Sequence, residues 1–482
     1  MNIGYKKLYI DGELRDAAGG ERFEVICPGT AQPAGEIAWA SKADADRALE
    51  SAAAAFERWS RVSLAERTRW MHKLRDAVVA AEDRLREAVM FEMGKPWAGT
   101  AEDYQTVVNA LNWYPEAMAR VQDEPLADED GTHRHVLRSE PLGVAVAFLA
   151  WNFPLLNVGF KLGPALAAGC TLIIRPSSSA PLSAYVLGEV LHEVGFPNGV
   201  VNILCGPTDP VGTTLVRSGI PRLITLIGSS SVGRKLIAES ATSVKRVSME
   251  LGGNAPALVF DDADLEQAAK DLCALKFGNT GQICVAPNRF FVHRQVAAEF
   301  EALVVERAKA VRIGFGREHE PTMGPLINAA ACARMAELVA DAVGQGAELV
   351  YGGKAPDKPE QGHYFEPTIL RNVTPEMRVF REEIFGPILA MRAFEDEQAV
   401  LAEANDTEYG LASYLFTTDA DRIRRISDGL AFGEVMVNGF KYAIYLPHGG
   451  IKESGIGHDC SHLALHDYLV KKRVTEKTFG VG

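Results

Sequence analysis

From residue 143 onward the chain repeats one arrangement: an apolar run of roughly four to eight residues, a stretch with helical periodicity, then another apolar run. GVAVAFLA (143–150), TLIIR (171–175), VVNILC (200–205) and RLITLI (222–227) alternate with stretches such as KLGPALAAG and AYVLGEVLHEVG. Apolar runs without polar alternation must be covered on both faces, and intervening helices return each strand parallel to the last. The pattern therefore predicts an α/β fold built on a doubly wound parallel sheet. Such sheets hold ligands beyond the carboxyl ends of their strands.

A second alternation follows. PALVF (256–260), a helical pattern over 262–277, FFVH (290–293), a helical pattern over 296–310 and strands near 367–370 and 388–394 indicate a second α/β domain beginning at residue 251. Residues 41–120 read as Ala-rich amphipathic helices, DADRALESAAAAFERW among them. A length of 482 residues is too great for one core and suits two or three domains. The first is placed at 1–120 and 141–250, the second at 251–445. The segment 121–140, rich in Asp, Glu and His, fits neither, and with the tail at 463–482 it is expected to form an arm and subunit contact.

With 47% hydrophobic and 23% charged residues, the chain has the composition of an ordinary soluble protein. Its 63 acidic against 50 basic residues give −13, and without a long basic run nucleic acid is not an expected partner. Charges interrupt the N-terminal stretch MNIGYKKLYIDGELRD, and no segment reaches about 18 unbroken apolar residues, so the expectation is a cytoplasmic protein without a membrane span. The seven cysteines are scattered and form no C-x-x-C pair, so neither a disulfide framework nor a metal site is expected.

One cysteine stands apart. In GNTGQICVAPNR (278–289), Cys284 follows small, turn-forming residues just after a helix capped by Asp261 or Asp262 and ending at Gly278. An isolated cysteine is usually a small buried hydrophobe. A loop behind a rigid helix is also where a nucleophile can be positioned. Other stretches bear on the choice. AWNFP (150–154) sets Asn152 beyond a strand's carboxyl end, where an amide can donate to an oxyanion. SMELGG (248–253) ends a strand on Glu250, a candidate general base, before two glycines that permit close backbone approach. GSSSVGRKL (228–236) opens a helix with exposed N–H groups suited to phosphate, although the G-x-G-x-x-G fingerprint is absent.

Together these stretches resemble the aldehyde dehydrogenase superfamily. The resemblance runs along essentially the whole chain through AWNFP, KLGPALAAG, RPSSSAP, GSSSVG, MELGG, GQIC, EEIFGP (382–387) and PHGGIKESG (447–455), in family order. Glu250 and Cys284 stand 34 residues apart, as in the family. RVSMELGGNAP, GNTGQICV and DYLVKKRVT are similar in wording to the succinate-semialdehyde branch.

The resemblance implies two doubly wound domains, dinucleotide-binding (1–120 and 141–250) and catalytic (251–445), with a small oligomerisation arm. It implies NAD(P)⁺-dependent oxidation of an aldehyde to an acid through a cysteine thiohemiacetal and thioester. Cys284 is the implied nucleophile, Asn152 the oxyanion donor, Glu250 the base for hydrolysis and Lys161 a lysine near the active site. Trp151, Gly228, Ser229, Gly233, Glu383 and Phe385 are implied cofactor contacts. In RPSSSAP, Arg175 and Ser178 stand where the family usually has lysine and glutamate. Losing that carboxylate removes repulsion of a 2′-phosphate, so NADP⁺ should be accepted, its preference over NAD⁺ remaining open. Well-known succinate-semialdehyde enzymes hold the distal carboxylate with arginines where this chain has Phe160 and Gly278. Recognition of that substrate would need another donor, for which GFKYAIYLPHGG (439–450) offers Lys441, Tyr442, Tyr445 and His448. With Phe160 lining the tunnel, apolar or aromatic aldehydes are expected to be used as well as or better than succinate semialdehyde; a succinate-semialdehyde dehydrogenase proper is the alternative, and a CoA-acylating enzyme or a non-catalytic protein are the remoter ones. A homodimer or homotetramer is implied.

Overall fold

The computed structural model describes residues 2–317, 320–359 and 361–478, and within them the two expected sheets are present. The first has eight strands. Its parallel centre runs Arg246–Glu250, Pro221–Ile227, Val144–Phe148, Thr171–Arg175, Val201–Ile203, so that the strand order reverses between Val144–Phe148 and Pro221–Ile227. That reversal opens a crevice at the strands' carboxyl ends. Both loops leaving it carry sequence-selected residues: Asn152 after one strand, Gly228 and Ser229 after the other.

The edges of this sheet were not foreseen. Leu8–Ile10 and Glu13–Arg15 extend it antiparallel on one side, and Gly455–Ile456 pairs antiparallel with Arg246–Glu250 on the other. A further sheet of three short strands lies within residues 5–38, a region assigned no strand from sequence. The second large sheet has seven strands, in the order Glu348–Tyr351, Thr368–Arg371, Ile388–Phe394, Pro287–His293, Ala255–Val259, Ala412–Phe416, Glu434–Val437. All its pairings are parallel except Glu348–Tyr351 with Thr368–Arg371. Apolar residues cover both of its faces. Leu258, Phe291 and Leu415 belong to one core, and Val259, Phe290 and Tyr414 to the other. Neighbours along a strand thus go to opposite faces.

The helix preceding Cys284 spans Leu265–Phe277 and ends at Gly278 as expected, but its N-cap is Asp264, whose side chain accepts from the Gln267 N–H at 3.0 Å. Asp262 instead accepts from the backbone N–H groups of Thr418 and Asp419, tying two loops together.

The segments set aside as an arm do pair. Leu469–Lys477 lies antiparallel to His133–Pro141 along nine residue pairs, with Glu124–Leu126 on the far side. The expected tail boundary at 463 requires correction. Residues 461–468 form a helix whose Ala464, Leu465 and Tyr468 are buried in the first core, so the arm strand starts at Leu469. Residues 479–482 of that expected segment lie outside the described residues. Among the described residues no helix is long and apolar enough to cross a membrane.

Candidate active site

A cavity of about 1480 Å³ lies between the two sheets' carboxyl ends. Its lining includes Trp151, Asn152, Phe160, Gly228, Ser229 and Glu250, together with Gly278, Cys284, Glu383, Phe385, Lys441 and Tyr442. These twelve residues chosen from sequence are thus brought together, and His448 of the 439–450 loop joins them.

The loop holding Cys284 is fixed by its own composition. Asn279 and Thr280 take left-handed conformations (φ 44° and 60°), and Gly281 follows at φ 72°, where an added Cβ would stand 2.2 Å from the Gly386 carbonyl oxygen. Only glycine fits there. Buried Gln282 donates to the Asn279 and Pro325 carbonyls and accepts from the Ile327 N–H, while Thr280 donates to the Gly324 carbonyl. The loop is also tied to Asn152. The Asn152 amide donates to the Gln282 carbonyl at 3.1 Å, and the Asn279 amide donates back to the Asn152 carbonyl at 2.9 Å. Asn152 and Cys284 therefore hold a common register.

The glycines of MELGG have the use their small size suggested. A Cβ on Gly253 would lie 2.3 Å from the Cys284 carbonyl oxygen, and one on Gly252 2.7 Å from Glu383 Oε2. Glu383 accepts from the Gly253 N–H at 3.0 Å, and burial pushes its carboxyl up to about 7. Phe385, at φ 51°, meets Trp151 edge to face at 5.5 Å between ring centres. Ser229 caps the helix Ser230–Ser240, accepting from the Val232 N–H, so the turn presents a helix N-terminus to the cavity.

Glu250, the last residue of its strand, is buried, with Oε1 3.4 Å from His448 Nε2. Ligand-type atoms of Glu250, Cys284 and His448 all lie within 4.8 Å of one another, and among the described residues this trio is also a set that could hold a metal ion. On its other side, His448 Nδ1 lies 2.7 Å from Glu434 Oε1. Burial, reinforced by the charge of Glu250, pushes the Cys284 thiol up to about 12, with His448 pulling the other way. Burial opposes charging of His448, but Glu434 and its contacts with Cys284 and Glu250 prevail and hold it well above the usual histidine range.

Five selected residues stand apart from the cavity lining. Lys161 is buried in the helix Pro154–Ala168 and ion-pairs with Asp459, which exchanges backbone hydrogen bonds with His448 and precedes the cavity-lining Cys460. Gly233 packs against Leu251, where a Cβ would approach to 2.8 Å. Arg175 donates to the Gly206 carbonyl at 2.9 Å, and Ser178 is half-buried on the following turn. In the 439–450 loop, Lys441 is exposed at the cavity rim, and the Tyr442 hydroxyl meets that of Tyr414 at 3.0 Å, which donates to the Val285 carbonyl. Tyr445, exposed, is absent from the lining. Glu434 was missed altogether. It belongs to the strand Glu434–Val437, and no local motif surrounds it.

The Aldehyde dehydrogenase family model matches residues 14–474. A glutarate-semialdehyde dehydrogenase of Pseudomonas putida is 37% identical over 96% of each chain. The NADP(+) succinate-semialdehyde dehydrogenase GabD of Escherichia coli is 36% identical over 97% of each. Among solved structures, a succinate-semialdehyde dehydrogenase from Burkholderia pseudomallei superposes with a TM-score of 0.96 at 38% identity, covering 98% of both chains.

Proposed function

Because the chain belongs to the aldehyde dehydrogenase family and is an NAD(P)-dependent aldehyde dehydrogenase, we propose that Cys284 is its nucleophile, Asn152 its oxyanion donor and Glu250 its hydrolytic base, and that its substrate is a short aldehyde with an anionic far end. The Cys284 sulfur attacks the carbonyl carbon, and the oxygen's growing charge is met by the Asn152 amide and the Cys284 backbone N–H. The bound nicotinamide cofactor supplies the hydride acceptor. Glu250 then takes a proton from the water that opens the thioester, releasing the acid. A carboxylate this close to the sulfur favours water over CoA as acyl acceptor.

The residues present fit that cofactor. The turn at Gly228 and Ser229 presents the N-terminus of the helix Ser230–Ser240 to a pyrophosphate, the Gly228 N–H itself donating to the Glu250 carbonyl, while Glu383 offers a fixed carboxylate to a ribose and Trp151 and Phe385 flank it. Serine at 178 puts no carboxylate at that position to repel a 2′-phosphate, and among the described residues Arg175 Nε has no partner of its own. NADP⁺ is accepted on this reading, and strict NAD⁺ use in a comparison of kcat/KM would refute it.

Lys441 carries the substrate reading. Four Lys or Arg side chains line the cavity, and three are engaged: Lys95 with Asp103 at 2.6 Å, Arg334 with Glu382 at 3.0 Å and Arg381 with Asp406 at 2.7 Å. Lys441 has no carboxylate partner among the described residues and stands 5.5 Å from the Tyr445 ring. The similar semialdehyde enzymes of Pseudomonas putida and Escherichia coli support the same class. A second reading, apolar or aromatic aldehydes, is favoured by Leu156, Phe160, Met436, Phe440 and Ile444 in the lining. A panel of propanal, hexanal, benzaldehyde, succinate semialdehyde and glutarate semialdehyde decides between them. Preference for the semialdehydes, lost in Lys441→Ala, is expected; equal or better use of hexanal and benzaldehyde would establish the apolar reading.

A further inference from the structure

His448 has two carboxylates and a thiol around one ring. Nδ1 faces Glu434 Oε1 at 2.7 Å, Nε2 faces Glu250 Oε1 at 3.4 Å, and the Cys284 sulfur belongs to the same cluster, within 4.8 Å. Among the described residues Glu250 Oε1, although buried, has no hydrogen-bond partner. A ring whose two nitrogens both face carboxylate oxygens can serve both only when each nitrogen carries a hydrogen. We propose that His448, held by Glu434, is a catalytic residue of this enzyme: a fixed imidazolium donor shared by Cys284 and Glu250, beside which the thiol proton passes from sulfur to the Glu250 carboxylate.

The step balances. The S–H bond breaks and an O–H bond forms on Glu250, while the electron pair left on sulfur forms the C–S bond as the carbonyl π pair moves to oxygen. Nothing is oxidised or reduced. With the ring charged throughout, the four groups carry one net negative charge before and after the transfer, so a buried charge is moved and none is created. Without the ring, two adjacent anionic groups would share a water-poor pocket, which is costly. Glu434 acts through His448 and is a positioning residue.

The other surroundings of the ring supply no competing charge. Phe160 and Tyr442 lie 6.0 and 6.1 Å away, centre to centre, and Tyr414 stands behind Tyr442. The segment after the loop brings Cys460 and Asp459. Asp459 exchanges backbone hydrogen bonds with His448 at 2.8 and 2.6 Å, but its carboxylate is paired with Lys161.

The proposal rests on Cys284 being the nucleophile and Glu250 the base, and alkylation separates the two questions. Iodoacetamide labelling of the Cys284 peptide, followed by mass spectrometry across neutral and alkaline pH without aldehyde or cofactor, reads thiolate formation directly. His448→Phe is expected to raise the labelling midpoint and slow labelling near neutral pH by about tenfold or more, a shift of about one pKa unit or more. Glu434→Gln, which keeps the ring and the side-chain shape, should shift the midpoint the same way by less. Glu250→Gln should lower it, because a neighbouring negative charge is gone. A wild-type profile in both His448→Phe and Glu434→Gln would overturn the role of His448. If alkylated enzyme still oxidised aldehydes, the nucleophile assignment itself would fail.

Discussion

Lys161 and Asp459 form a buried ion pair between the helix Pro154–Ala168 and the loop after Gly455–Ile456, with side chains 2% and 4% exposed. Lys161→Met leaves the Asp459 charge in the interior, and its Oδ2 already has no partner. Breaking one side of such a pair costs about 3–5 kcal/mol, because the survivor is an uncompensated charge. Replacing both, as Lys161→Met with Asp459→Leu, removes both desolvation costs and should return stability to within about 1–2 kcal/mol of the parent. Urea unfolding followed by tryptophan fluorescence, with linear extrapolation and a check of reversibility, measures all four corners of the cycle. On this reasoning the double variant also keeps kcat within a few-fold, since the pair only anchors the segment carrying His448. A Lys161→Met protein as stable as wild type, or a double variant as unstable as the two losses added, would refute the energetics. A double variant that folds well but has lost kcat would return Lys161 to the chemistry.

Glu250→Gln should slow deacylation more than hydride transfer, giving a burst of reduced cofactor and then turnover reduced roughly 10²–10⁴-fold; a linear trace without a burst would count against its role in hydrolysis. Leu469–Lys477 is an edge strand with Val470 38% exposed, so light scattering should find a dimer or a pair of dimers and Val470→Asp should weaken it; a monomeric parent would sink the claim. Burial pushes the Glu92 carboxyl up to about 8, against the pull of the Ser183 and Leu182 N–H groups it faces. The folded state therefore prefers it protonated. That stabilisation is full below the unfolded value near 4.5 and lost as pH rises through about 8, and Glu92→Gln should flatten this part of the stability–pH curve.

What could be read from sequence was whatever local pattern determines. The strand Ile388–Phe394 fell where its apolar run placed it, and the turns before Asn152 and after Ile227 sit where strand–turn–helix patterning put them. Before residue 39, Tyr5–Lys6, Leu8–Ile10 and Glu13–Arg15 were missed because two or three residues establish no pattern, and Arg22–Cys27 and Gln32–Ala38 because Arg22, Glu24, Gln32, Gly35 and Glu36 break any apolar run. Asp261, Asp262 and Asp264 are interchangeable as caps on paper. Only the contacts of Asp262 with residues 418 and 419 leave Asp264 to do the capping. The pairing of Lys161 with Asp459 joins residues 298 positions apart, and that of Glu434 with His448 depends on a strand end meeting a loop, so neither shows in a local pattern.

Gly455–Ile456 closes the edge of the sheet at the strand that ends in Glu250, and the helix over 461–468 seals the core beneath it. During synthesis this edge stays open until both pieces have left the ribosome, well after the Cys284 loop has emerged. The strand that aims the base is thus completed after the thiol has been made, and a nascent chain stalled after residue 284 and before residue 434 holds a cysteine without Glu434 and His448. Chain order thus makes the ring and the carboxylate that complete the surroundings of the thiol the last parts of the site to be added.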